Sequence, residues 1–387
     1  MKKMLTIEIN GTGCHNRGAE LMAIAIAERM RSTFSNVRIV VPPSFGTAAE
    51  RSNYDFLTTW EFHGRVRGRF NGMVLRLLSS SAREALGIVS PHEVDVVLDA
   101  SGFAFSDQWG PGSAIYISKK MKRRREAIPL IFLPQALGPF TDPKVVSSSK
   151  ALFDRASLIC ARDSQSLTAA RGIGISGEKL KQFADFTLGL KSVMPEETVI
   201  PEKFSAIVPN YRMLDKGGNG DSYLKFISNC IVTLGEKGMN PVFVLHDAAE
   251  DRKVIEEMNK LGHDIPIIED NSPLVLKGIL GCADLVVGSR FHALVSSLSQ
   301  GVPCLGAGWS HKYQELFSDF GCEDFLVSDL GDFSKIESLI DILGDPDKYR
   351  ECVTRIGKAG AILRDSNEQM WQEVEKVIND FTKSSFS

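Results

Sequence analysis

Residues 4–41 read MLTIEINGTGCHNRGAELMAIAIAERMRSTFSNVRIVV, and the changes of period inside this stretch decide the fold class. The apolar run over 4–10 suits a first strand. GTGCHNRGAE at 11–20 then sets glycines where a chain must turn tightly, and Leu21, Ile24, Ala25 and Glu28 follow at helical spacing. VRIVV at 37–41 returns to a short β-branched run. Strand, glycine turn, helix and strand in that order open a parallel α/β sheet.

The same alternation continues along the chain. It predicts further strands over 94–99 (VDVVLD), 129–133 (PLIFL) and 157–161 (SLICA) in the first half. In the second half it predicts strands over 204–209 (FSAIVP), 241–245 (PVFVL), 265–268 (IPII), 284–288 (DLVVG), 302–305 (VPCL) and 325–327. A helix over 221–236 is amphipathic through Tyr223, Phe226, Ile227, Ile231 and Leu234, and a last helix over 362–383 carries Ile362, Met370, Val374, Val377 and Ile378. Residues 52–90 mix basic and aromatic side chains without a clear period and read as an excursion over an active-site mouth.

The polar, proline-bearing stretch LKSVMPEETVIPEK at 190–203 is the best domain boundary. The division expected is therefore an N-terminal Rossmann-like domain over 1–190 and a linker over 191–203. A C-terminal Rossmann-like domain follows over 204–360, and then a helix over 361–387 packing back on the first domain. The fold class is α/β, two Rossmann-like domains facing across a cleft at the carboxyl ends of their strands, where open α/β sheets bind ligands. On pattern alone, one large sheet with a long insertion and two domains of unrelated function stay open.

A chain of 387 residues with 43% apolar residues has ample material for two cores, which excludes disorder as its main state. Lys plus Arg is 45 against 48 for Asp plus Glu, a net charge of -3, so no global basic field points to nucleic acid. The 7 cysteines, at 14, 160, 230, 282, 304, 322 and 352, never form a CxxC pair. They read as buried thiols of a reducing compartment, neither a disulfide framework nor a cysteine zinc site. Glu8 and Asn10 interrupt what a signal peptide would need as an apolar core, and no stretch reaches the roughly 18 apolar residues of a bilayer span. A cytoplasmic protein is expected.

Candidate functional residues collect where strands end. After the first strand come His15, Asn16 and Arg17, either facing a cleft or, for Asn16, capping the helix. The motif is not GxGxxG with an acidic residue ending the second strand, since Pro42 and Pro43 stand there, so a dinucleotide site is weakly supported. DASGFAFSD at 99–107 supplies Asp99, PQALGPF at 134–140 supplies Gln135, and ARDSQS at 161–166 supplies Arg162, well placed for a bidentate anion, beside the helix cap Asp163. FADFTL contributes Asp185 and VLHDAAED at 244–251 contributes His246, with no third convergent ligand for a metal. The strongest signal is VVGSRFHALVSSLSQGVPCLGAGWSHKYQELF at 286–317. There Ser289, Arg290, Phe291 and His292 stand at a strand-to-helix junction suited to an anion, a guanidinium clamp and a proton-transfer group, with Lys312 further on. The competing reading pairs Arg290 with a local aspartate and gives His292 a capping or core place.

HNRGAE at 15–20, PQALGPF, ARDSQS, Asp185, HDAAED at 246–251 and SRFHALVSSLSQGVPCLG at 289–306 with HKY at 311–313, in this order, resemble the polysaccharide pyruvyl transferase family. The resemblance implies a GT-B-like fold, with the acceptor side and part of the donor site in 1–190 and the main phosphoenolpyruvate site in 204–360, and transfer of pyruvate from phosphoenolpyruvate to a sugar of a polysaccharide or its precursor. The product is a cyclic ketal, and phosphate is released. It implies that Arg290, Phe291 and His292, with Ser289 and Arg162, bind the donor, and that Arg290 and His292 are catalytic. His15, Asn16, Arg17, Asp99, Gln135, Asp185, His246 and Lys312 are the candidates for acceptor binding or auxiliary roles.

No cofactor beyond the substrate phosphoenolpyruvate and no metal site is expected, while magnesium dependence is left open. The acceptor sugar is expected to be nucleotide-bound or lipid-diphosphate-linked. A nucleotide-sugar GT-B glycosyltransferase is the alternative, and a noncatalytic sugar- or anion-binding protein is a third reading. The run Lys119, Lys120, Met121, Lys122, Arg123, Arg124 and Arg125, helped by Arg65, Arg67 and Arg69, reads either as a solvated helix face or as a peripheral contact with an anionic membrane at its inner face.

Overall fold

The structure, a computed structural model, describes residues 4–59, 78–196, 199–215, 220–308 and 310–386. Part of the 52–90 excursion, with Arg65, Arg67 and Arg69, lies outside the described residues. The chain divides into two compact units, Met1–Phe186 with Glu368–Ser387, and Thr187–Asn367.

The first unit is built on eight parallel strands: β1 (Leu5–Asn10), β2 (Val37–Val41), β3 (Leu57–Thr59), β4 (Ile88–Val89), β5 (Val96–Asp99), β6 (Leu130–Gln135), β7 (Leu158–Ala161) and β8 (Leu180–Gln182). Their order is β4-β3-β2-β1-β5-β6-β7-β8. The sheet grows from β1 in both directions, so the junction of β1 and β5 is its switch point, where an open α/β sheet leaves a crevice at the strand ends.

All six residues of β1 are buried, the polar ones included. Glu8 is tolerated there because Lys120 Nζ lies 2.7 Å and Arg124 Nη2 2.8 Å from its carboxylate. Burial alone would raise the Glu8 carboxyl, but Lys120 and Arg124 outweigh it and leave it below its ordinary range. This corrects the expectation of a continuous basic surface at 119–125. Lys120 and Arg124 point into the core, Arg125 pairs with Asp95, and Lys119, Lys122 and Arg123 are exposed.

Asn16 caps the helix Arg17–Thr33, its side chain accepting from the Ala19 N–H at 3.0 Å. Every residue from Leu21 to Ala27 is buried, more than one apolar stripe requires. Arg29 on this helix bonds Glu368 at 2.7 Å and Glu375 at 2.6 Å, so the end of the C-terminal helix lies on its outer side. That helix runs Pro346–Phe386, sixteen residues earlier than its expected start. Gly357 and Gly360, poor helix formers, hid the extension, while Cys352 and Ile356 are buried at helical spacing.

The second unit carries six parallel strands: β9 (Ser205–Val208), β10 (Pro241–Leu245), β11 (Ile267–Glu269), β12 (Leu285–Gly288), β13 (Cys304–Ala307) and β14 (Leu326–Val327). Their order is β11-β10-β9-β12-β13-β14, which puts the switch point between β9 and β12. The stretch expected as a linker, 191–203, clusters with this unit. Val193 N–H donates to Leu274 O at 3.1 Å. A Cβ on Gly278 would stand 2.2 Å from Val193 O, so only glycine lets the helix Pro273–Cys282 approach that backbone.

Candidate active site

At the switch point of the second unit, β12 ends at Gly288 in register with Val208, and the chain turns through Ser289 and Arg290 into the helix Phe291–Leu298. Three side chains clamp Ser289. Asn210 Nδ2 and Tyr313 Oη donate to its carbonyl at 2.7 and 2.9 Å, and its hydroxyl lies 2.5 Å from Tyr223 Oη. The Ser289 hydroxyl is thus turned into the unit, and its contribution to the expected donor group is to fix the turn that carries Arg290.

Arg290 stands at the N-cap position with its guanidinium forked onto Asp251, Nε to Oδ2 at 3.0 Å and Nη2 to Oδ1 at 2.5 Å. Asp247 and Glu250 approach Nη2 at 3.6 and 4.0 Å. Asp251 also accepts from the N–H groups of Tyr211 and Asp247 at 3.0 and 3.1 Å. Burial pushes the Asp251 carboxyl up, against the charge and hydrogen bonds of Arg290. Burial would lower the Arg290 guanidinium, but Asp251, with Asp247 behind it, leaves it raised. The local-aspartate reading of Arg290 therefore holds for two of its nitrogens. Among the described residues no hydrogen bond from Nη1 accompanies these.

Phe291 packs edge-on against His292 and Tyr313, with centroids 5.3 and 5.9 Å apart. Lys312 Nζ lies 5.2 Å from each of the Phe291 and Tyr313 rings. His292 is half-buried on the first turn of its helix, and His246, buried, follows β10 at the same edge of the sheet. Arg290, Phe291, His292 and Lys312 thus share one corner. Among the described residues no three His, Cys, Asp or Glu side chains form a metal-holding group.

The other candidates belong to the first unit. Arg162 at the end of β7 pairs with Asp185, Nη1 to Oδ2 at 3.4 Å, both buried, so two residues read separately in the sequence are partners. Asp163 caps the next helix by accepting from Ser166 N–H at 2.6 Å. Arg17 bonds Glu20 of its own helix at 2.7 Å, Asn16 is the cap, and His15 is exposed. Asp99 and Gln135 meet at 3.4 Å.

Sequence reading missed Asp251 as a site residue, along with Asn210, Tyr223 and Tyr313. Asp251 ends VLHDAAED, a segment read for His246, and the i, i+4 spacing of Asp247 and Asp251 on one helix face was the available signal.

A sequence model of the polysaccharide pyruvyl transferase family matches residues 16–311. The chain belongs to that family. It is 20% identical over 312 residues to the amylovoran biosynthesis protein AmsJ of Erwinia amylovora, covering 74% of each chain. Among solved structures it is similar to Anabaena Alr3699/HepE in complex with UDP and glucose, with TM-score 0.59 and 13% identity over 97% of this chain and 100% of that one. It is also similar to the UDP-GlcNAc 2-epimerase of Methanocaldococcus jannaschii in complex with UDP-GlcNAc and UDP, with TM-score 0.55 and 14% identity over 89% and 94% of the two chains. At these identities the likeness concerns the fold, and it agrees with a GT-B-like pair of Rossmann-like units in this family member.

Proposed function

We propose that this protein transfers the pyruvate unit of phosphoenolpyruvate to a sugar of a polysaccharide or its precursor, closing a cyclic ketal and releasing phosphate. The observation that carries the reading is the Ser289–Arg290–Phe291–His292 turn at the β12 switch point, inside the region that matches the family. Phosphoenolpyruvate brings two anionic groups, and the guanidinium of Arg290 with the N–H groups of the helix start can bind one of them. Because Asp251 already fixes the guanidinium, little orientational freedom is lost when the anion arrives.

The methylene carbon of the donor must gain a proton and the phosphate must leave. His292, on the first turn beside Arg290, is the proton-transfer group of this reading, with His246 after β10, two strands from β12, as the second candidate. A nucleotide-linked acceptor fits the occurrence of UDP and UDP-sugars in proteins of this fold. Incubation of the protein with phosphoenolpyruvate and a sugar panel tests the proposal: phosphate release that depends on the sugar is expected. Sugar transfer from UDP-glucose without use of phosphoenolpyruvate would favour a glycosyltransferase.

A further inference from the structure

The helix Gly112–Met121, which crosses from β5 to β6, carries apolar side chains on two opposite faces. Ala114, Ile117 and Met121 go inward and join the core of Phe105, Phe132 and Phe153. Lys120 and, just past the helix, Arg124 turn inward as well, onto Glu8. The outer face is left to Ile115, Tyr116 and Lys119, and Lys122, still at helical φ and ψ, continues it with Arg123 at the same spacing. All five are exposed, Ile115 at 40% and Tyr116 at 41%, and Trp109 in the turn leading into the helix stands at 47%. A Cβ on Gly112, on this same face, or on Gly110 beside Trp109 would meet nothing within 4 Å, so the surface here is open.

A helix face that had only to stay hydrated would carry polar groups at 109, 115 and 116. Tryptophan and tyrosine settle at the boundary of water and lipid, where their apolar rings and polar edges are both satisfied. Lysine and arginine interleaved with them make the face of a helix that lies on an anionic bilayer. Of the acids near in sequence, Asp95 pairs with Arg125, and Asp107 is turned to the N–H groups of Thr141 and Asp142 at 2.7 and 3.1 Å. That leaves exposed Glu126 beside the three cations, so the face keeps a positive balance. A second copy of the chain is the poorer occupant, because a twofold contact through this patch would set its three cations against the same three.

We propose that this face is a docking surface for an anionic lipid bilayer. Lys119, Lys122 and Arg123 meet the lipid phosphates, and Trp109, Ile115 and Tyr116 enter the boundary between headgroups and acyl chains. The contact is peripheral: no helix among the described residues is long and apolar enough to cross a membrane. It belongs to the first unit alone and stands whether or not the donor reading above does.

Flotation of the full chain with vesicles of phosphatidylglycerol and phosphatidylcholine, and with phosphatidylcholine alone, tests the assignment without any substrate. The protein is expected to float with the anionic vesicles at low salt, to stay behind with the neutral ones, and to be released at about 0.5 M NaCl, where charges are strongly screened. Lys119→Gln, Lys122→Gln and Arg123→Gln together are expected to lower the partition coefficient about 10²-fold, roughly fivefold for each cation. Trp109→Ser with Ile115→Ser is expected to lower it several-fold at unchanged charge. Both variants alter exposed side chains and are expected to melt with wild type, which separates loss of binding from loss of fold. Negligible flotation with both vesicle types, binding as tight to the neutral ones, or anionic binding that the three-glutamine variant keeps would each overturn the proposal. So would a dimer in sedimentation that Ile115→Ser dissociates, since a second copy would then cover the face.

Discussion

Arg290 is held in place before any ligand arrives, and this shapes what its substitution does. Arg290→Ala strands the fully buried Asp251 carboxylate, a change that costs about 3–5 kcal/mol of stability and mixes folding with function. Arg290→Lys keeps the charge and gives up the fork. We expect it to fold and to lose about 10- to 100-fold in kcat/KM for phosphoenolpyruvate, as removal of a charge-assisted hydrogen bond would give; an unchanged value in steady-state assays would take Arg290 out of the donor site. His292→Asn is expected to lower kcat about 10²-fold with an unaltered melting curve, and near-normal turnover across pH would leave His292 a structural residue. Arg290 and His292 were legible because they stand two residues apart at a strand-to-helix junction. Asp251 was not: it lies 39 residues from Arg290, and acids in the first turn of a helix already have an ordinary explanation in the helix dipole.

At the scale of elements, the strands that carry the sites were legible because they are buried on both faces and read as continuous apolar runs. β3 and β4 were not, since they lie in the 52–90 stretch that shows no clear period, and β8 was not, since Leu180 is the one apolar residue among its three. The basic run after 118 misled for a related reason, because its sequence contains no sign that β1 would deliver a carboxylate beneath it. Glu8→Gln tests that arrangement. It leaves Lys120 and Arg124 buried opposite a neutral amide, and a loss of about 3–5 kcal/mol at pH 7 is expected in denaturant titration. The lowered folded-state pKa of Glu8 gives the sign: its contribution is complete above the unfolded value, roughly 4.3, and is lost on further acidification. The gap between wild type and variant should therefore narrow as pH falls below about 4, and a gap independent of pH would contradict the ion cluster.

For the molecule as a whole, two parallel sheets with separate switch points each place functional candidates at strand carboxyl ends, Asp99 and Gln135 in one unit and Arg290 and His292 in the other. Family membership makes the chain a member of the pyruvyl transferases, and it leaves the donor chemistry and the acceptor to experiment. The most direct measurement is mass spectrometry of the products formed by the purified protein from phosphoenolpyruvate and a panel of sugar acceptors, with phosphate counted in parallel. The account predicts an acceptor heavier by one pyruvic acid less one water, one phosphate released per ketal, and no product when either substrate is withheld. Phosphoenolpyruvate left intact with every acceptor, while UDP-glucose is consumed in its place, would contradict it.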